Sequence, residues 1–174
     1  MKRIYLAGGC FWGVEKYLSL IPGVLRTETG YANGEVENPT YEDVRYRESG
    51  HAETVLVEYD PARLPLPLLL DVFYRAIDPT SVDKQGEDEG RQYRTGIYYE
   101  DEEDGEAARA SLAALAGRVG GEVAVERVRL RNYWPAEEYH QKYLDKNPNG
   151  YCHIGQEEFD ALRGYLDGLA ETGG

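Results

Sequence analysis

Gly8-Gly9-Cys10-Phe11-Trp12-Gly13 joins two segments whose apolar patterns have different periods. Before it, Arg3-Ile4-Tyr5-Leu6-Ala7 is a short apolar run of the buried-strand type, closed by the two glycines. After it, Val14, Tyr17, Leu18 and Ile21 recur at helical spacing until Pro22-Gly23 stops the pattern. A strand that turns sharply into a helix is therefore expected, with Cys10 at the turn. Unpaired N–H groups at a helix N-terminus favour negative charge, which lowers a thiol pKa and makes a nucleophile. A buried structural cysteine is the ordinary alternative, and position alone does not separate the two. Neither G-x-x-x-x-G-K-[ST] nor G-x-G-x-x-G is present, so the turn is not read as a phosphate cradle. Phe11 and Trp12 point about 100° apart on a helix, so at least one of them is expected to line a pocket.

The same reading extends outward. A strand is expected from Val24 to about Thr29, then a long polar loop from Gly30 to Gly50. His51–Tyr59 alternates as a strand, placing Glu53 on one face with Val55 and Val57. Leu66–Ile77 is an apolar helix led by prolines, followed by a second polar loop from Asp78 to Gln92. Thr95–Tyr99 reads as a strand, Asp101–Val119 as a helix, and Val123–Leu130 as a half-exposed strand. Pro135–Lys146 and Gln156–Leu169 are expected to be helical. This order predicts a single α+β domain over residues 1–174, a two-layer α/β sandwich with a mixed sheet and a ferredoxin-like core. The two long loops are expected to carry function.

The chain has 174 residues and a net charge of −13. That charge opposes binding to nucleic acid or to anionic membranes. No apolar run is long enough to span a bilayer and the N-terminus does not read as a secretory signal, so a cytoplasmic protein is expected, as a monomer. Cys10 and Cys152 are the two cysteines, and in a reducing compartment they are free thiols or partners in a transient, catalytic disulfide.

Several further motifs accompany the Gly-Cys-Phe-Trp-Gly stretch in one order. They are Gly30-Tyr31-Ala32-Asn33-Gly34, Asn38-Pro39-Thr40-Tyr41 and Gly50-His51-Ala52-Glu53, then Asp78-Pro79-Thr80 and Gln85-Gly86. Gln92-Tyr93-Arg94, Ala136-Glu137-Glu138-Tyr139-His140-Gln141 and Lys146-Asn147-Pro148-Asn149-Gly150-Tyr151-Cys152 complete the set. Together they resemble the A-type peptide methionine sulfoxide reductases over about residues 4 to 154. The resemblance implies that Cys10 attacks the sulfoxide sulfur, that Glu53 donates a proton, and that Tyr41 and Tyr93 assist as phenols. It further implies hydrogen bonding by Asp88, a substrate-methyl pocket from Phe11 and Trp12, and reduction of the S epimer. Cys152, in a C-terminal segment over residues 145–174, would resolve the sulfenic acid of Cys10, with thioredoxin as reductant. The substrate would be methionine sulfoxide in oxidised proteins or as the free amino acid, and no cofactor or metal is called for. The chain departs from the family pattern at Arg45-Tyr46-Arg47-Glu48-Ser49, Glu87 and Trp134.

Glu53 can donate a proton near neutral pH only if burial raises its pKa, and its place beside Val55 and Val57 fits that demand. Two rival readings use the same residues. A cysteine hydrolase would pair Cys10 with His51 or His140. A zinc-stabilised domain would draw on Cys10, Cys152, His51, His140 and His153, although the C-x-x-C and H-x₃₋₅-H spacings are missing.

Overall fold

The computed structural model describes residues 1–172. The strand-to-helix turn forms as the pattern requires, with β1 over Lys2–Gly8 and α1 over Phe11–Ser19. The chain continues through β2 (Val24–Ala32), α2 (Tyr41–Tyr46), β3 (Ala52–Tyr59) and α3 (Leu66–Tyr74). A small hairpin of β4 (Lys84–Gln85) and β5 (Asp88–Glu89) precedes β6 (Thr95–Tyr99) and α4 (Glu102–Val119). Then come β7 (Glu126–Arg129), β8 (Tyr133–Pro135), α5 (Tyr143–Lys146) and α6 (Gln156–Thr172).

Six strands make one sheet in the order β7-β6-β1-β3-β2-β8, antiparallel throughout except for the parallel β6–β7 pair. The central order β6-β1-β3-β2, threaded as β1-α1-β2-β3-α3-β6, is the ferredoxin-like split βαβ arrangement. One sheet face carries Ile4, Leu6, Val55, Val57 and Ile97, which bury against Val14, Tyr17 and Leu18 of α1 and against Leu69, Leu70 and Phe73 of α3. The other face has a smaller cluster around Tyr5, Ala52, Leu56 and Tyr98. The mixed sheet and two-layer packing thus agree with the α+β expectation.

Three segments differ from their sequence reading. Residues 135–146 do not form one helix. Pro135 pairs with Gly30 at the sheet edge, Glu138–His140 is a single 3-10 turn, and Lys142 adopts φ 54°, which breaks the helical path before α5. The physical cause lies in side chains bonded elsewhere. Gln141 exchanges hydrogen bonds with the Thr29 backbone, and Glu137 accepts from Tyr31 and from the Tyr41 N–H, which together hold the segment extended. The loop after Gly30 is the second difference: β2 runs on to Ala32, and α2 interrupts the remainder. Thr40 and Asp43 form a reciprocal capping box that starts this helix. Third, the Asp78–Gln92 loop contains the β4–β5 hairpin, turned at Gly86 with φ 62°.

Candidate active site

The C-terminal end of β1, the C-terminal end of β2 and the start of β3 lie at one end of the sheet. Tyr31 on β2 is in register with Glu53 on β3, and Leu6 on β1 is in register with Val55. Cys10 stands just beyond β1 as the residue capping α1, and it is buried. Gly9 before it has φ 93°, and a Cβ there would meet Gln85 Cβ at 2.7 Å. Glycine is thus needed both for the turn and for the close approach of the second loop. Gln85 is itself held by exchanging hydrogen bonds with the Asp78 backbone.

Glu53 is 1% exposed, on the same buried face as Val55 and Val57. Its Oε1 accepts from the Phe11 N–H at 3.2 Å, and its Oε2 is buried with no hydrogen-bond partner. Burial raises its pKa to about 8, with Asp88 adding and the Phe11 N–H opposing, so at neutral pH the carboxyl is protonated. The burial of Glu53 beside Val55 and Val57 is what the alternation in β3 predicts.

The expected lowering of the Cys10 pKa is not what the site provides. Burial first, then the neighbouring Glu53, push the thiol well up; the Trp12 backbone N–H opposes them and is outweighed. Part of the reason is local. The first free N–H of α1, that of Phe11, bonds Glu53 rather than the sulfur. The N–H groups of the helix N-terminus are thus divided between Glu53 and Cys10, favouring the charged form of each, and desolvation outweighs them at both.

Tyr41 opens α2, and Tyr93 closes the 3-10 turn before β6. Burial raises both phenols, and each also feels the charges of Glu53 and Cys10. The Arg45 guanidinium donates to Tyr41 Oη at 3.0 Å, so the departure at residues 45–49 touches the site. Asp88 accepts from the Tyr151 hydroxyl at 3.0 Å, tying the second loop to the segment that carries Cys152. Of the two aromatics, Phe11 is in the core, 5.6 Å between ring centroids from Tyr31, and Trp12 is half-buried, stacked on Tyr143 at 3.8 Å. Cys152 is a half-buried free thiol whose pKa burial raises.

The sequence reading gives no positioning role to several residues that have one here, His140 being weighed there only as a base or a zinc ligand in the rival readings. His140 is fully buried; its Nδ1 accepts from Trp12 Nε1 at 2.9 Å, and its ring lies against Tyr41 and Tyr139. Burial lowers its pKa to about 4, which keeps it neutral and able to accept. Glu137 carries the start of α2 through the Tyr41 N–H. Arg94 spans from Glu126 to the Gly50 carbonyl and so fixes the approach to Glu53. The signal available for all three was their membership in polar motifs, without periodicity to say which way they point.

The geometry disfavours the two rivals. His51 accepts from the Gly34 N–H through Nδ1 and bonds the Val36 carbonyl through Nε2, so both nitrogens hold the loop backbone. His140 uses its lone pair on Trp12, so neither of these two histidines is a free base for Cys10. Among the described residues, no group of three or more His, Cys, Asp or Glu side chains is placed to hold a metal ion. No helix among them is long and apolar enough to cross a membrane.

Comparison with known proteins shows the family. Residues 2–163 match the family model described as peptide methionine sulfoxide reductase. A peptide methionine sulfoxide reductase MsrA from Lachnoclostridium phytofermentans is 59% identical over 162 residues, covering 93% of this chain and 98% of the relative. The crystal structure of Saccharomyces cerevisiae Mxr1 in reduced form superposes with a TM-score of 0.84 at 35% identity, over 88% of this chain and 91% of that one. Mxr1 in complex with Trx2 matches with a TM-score of 0.58 at 26% identity, over 82% of this chain and 84% of that one.

Proposed function

This chain belongs to the peptide methionine sulfoxide reductase family, and from that premise we propose that it reduces the S epimer of methionine sulfoxide through Cys10. The observation that carries the mechanism is Glu53, a buried carboxyl that keeps its proton to about pH 8 beside the nucleophile. A neutral Glu53 has two consequences. It removes a negative charge that would oppose the Cys10 thiolate, and it offers a proton to the departing sulfoxide oxygen. The sulfoxide sulfur is partly positive, so it draws the thiolate form of Cys10 toward itself.

Cys10 Sγ forms a bond to the substrate sulfur while Glu53 protonates the oxygen. The substrate S–O bond then breaks with the oxygen leaving as water. Water attacks Cys10 Sγ as the bond between the two sulfurs breaks, and the substrate departs as a thioether with Cys10 left as a sulfenic acid. The substrate sulfur gains two electrons and Cys10 sulfur loses two. Tyr41 and Tyr93 hold the polarised oxygen by hydrogen bonds, and Asp88 keeps the rim in place through Tyr151. Trp12, fixed by His140 and Tyr143, and Phe11 beside it hold the S-methyl group.

Cys152, in the segment over residues 145–174, condenses with the sulfenic acid, and a dithiol of the thioredoxin type reduces the resulting disulfide; the matched Mxr1–Trx2 complex supports this partner. Protein-bound and free methionine sulfoxide both serve as substrate, and the enzyme acts as a cytoplasmic monomer. Three variants test the assignment with a methionine sulfoxide peptide. Cys10→Ser should release no methionine. Cys152→Ser should release one equivalent in a burst and then stall with thioredoxin. Glu53→Ala should slow the burst itself. Full activity in Cys10→Ser would overturn the mechanism, and turnover of the R epimer alone would overturn the stereochemistry.

A further inference from the structure

Cys152 packs on the first turn of α1. A Cβ placed on Gly13 would lie 2.8 Å from Cys152 Sγ and 3.4 Å from His153 Nδ1, so the thiol and the next residue's ring share one side of the same glycine. His153 Nε2 lies 2.9 Å from the Gly8 carbonyl oxygen. A carbonyl only accepts, so Nε2 carries the ring proton and Nδ1 carries the lone pair. That lone pair is buried and has no hydrogen-bond partner. A buried acceptor left unsatisfied costs about 1–3 kcal/mol, and such a group in a folded protein calls for an explanation. Burial also lowers the His153 pKa, which keeps the ring neutral and the lone pair available.

The condensation step has a matching need. A thiolate, not a thiol, attacks sulfur. Burial raises the Cys152 pKa, and even at the ordinary value only about one thiol in thirty is ionised at pH 7. We propose that His153 is the general base of the resolving step, taking the Cys152 thiol proton on Nδ1 as the disulfide forms. This rests on the reading of Cys152 as the resolving thiol. No hydrogen bond joins the two groups in the resting structure, so the transfer requires the Cys152 side chain to turn toward the ring.

The step balances as follows. The Cys152 S–H proton passes to His153 Nδ1, Cys152 sulfur bonds to Cys10 sulfur, and the Cys10 S–O bond breaks. Cys152 sulfur is oxidised by one electron and Cys10 sulfur is reduced by one, on the usual count for a disulfide. The departing hydroxide takes the proton back from His153 and leaves as water. The Gly8 carbonyl, at the end of β1, holds the ring in the correct tautomer throughout.

Two variants separate chemistry from packing. His153→Gln keeps a donor for the Gly8 carbonyl and removes the titratable nitrogen; His153→Ala opens space for exogenous imidazole. Rapid quench with thiol alkylation and mass analysis would follow methionine release and Cys10–Cys152 disulfide formation separately. Methionine release at one equivalent per chain shows that each variant is folded. Disulfide formation should slow at least about tenfold in both, and imidazole should speed the alanine variant but not the glutamine one. Wild-type disulfide rates in His153→Gln, or no response of His153→Ala to imidazole, would overturn the proposal. A wild-type burst with no Cys10–Cys152 disulfide at all would instead overturn the resolving role of Cys152.

Discussion

Replacing Glu53 by Gln should stabilise the protein while slowing its chemistry, and one titration should govern both effects. The carboxyl moves from an ordinary value of 4.5 in the unfolded chain to about 8 in the folded state. The folded state therefore binds the proton more tightly, and stability falls as pH rises between those two values. Worked through the linkage relation, the buried acid costs almost nothing below pH 4, about 3 kcal/mol at pH 7 and about 5 kcal/mol at pH 9. Gln is the neutral isostere; its oxygen can still accept from the Phe11 N–H, and the unpartnered Oε2 position stays unpartnered.

Urea unfolding of wild type and Glu53→Gln, each from pH 5 to pH 9, would read the effect as a difference. Taking the difference cancels other titrations, such as that of His140, which burial also shifts. The variant should gain little at pH 5 and progressively more toward pH 9. In wild type, kcat/KM for a methionine sulfoxide peptide should fall as pH passes about 8, where Glu53 loses the proton it donates. A stability difference that does not change with pH would refute the buried neutral acid, and with it the source of the proton.

Other substitutions test the supports. Gly13→Ala would set a methyl 2.8 Å from Cys152 Sγ; methionine release should persist, whereas thioredoxin-dependent turnover should fall several-fold in a coupled NADPH assay. Glu137→Gln replaces a carboxylate that accepts from both Tyr31 and the Tyr41 N–H with an amide that can accept only one of them well. It should lose about 1.5–3 kcal/mol by urea unfolding and lower kcat by displacing Tyr41. Phe73→Ala, at a fully buried position between α3 and the sheet, should cost about 3–5 kcal/mol and lower Tm while leaving KM near its wild-type value in the folded fraction.

The sequence revealed most where one local rule acted alone. Alternation placed Glu53 on the buried face of β3 because a strand has only two faces and Val55 and Val57 mark the inner one. The β1–α1 turn was readable because the apolar period changes across Gly8-Gly9. Residues 135–146 were not readable in the same way. Their helical spacing is real, but Glu137 and Gln141 find partners on β2 and α2, far along the chain, and those bonds outweigh propensity. The Cys10 pKa failed for a related reason. A helix N-terminus is a local property, whereas the burial that overrides it is produced by the tertiary fold.

The first turn of α1 serves both halves of the proposed cycle because its backbone groups are divided between them. The Phe11 N–H holds Glu53, the acid of the first step, and the Gly8 carbonyl just before the turn holds His153, the base of the second. Cys10 lies between these two anchors, and Gly13 supplies the bare surface on which Cys152 rests. The glycines flanking the cysteine thus have different tasks: Gly9 permits the positive φ and the approach of Gln85, while Gly13 makes room for a second sulfur. A side chain at Gly9 would disturb the fold of the turn itself. One at Gly13 would leave the turn helical and disturb only what docks there, so the two half-reactions are separable by mutation although they share a single helical turn.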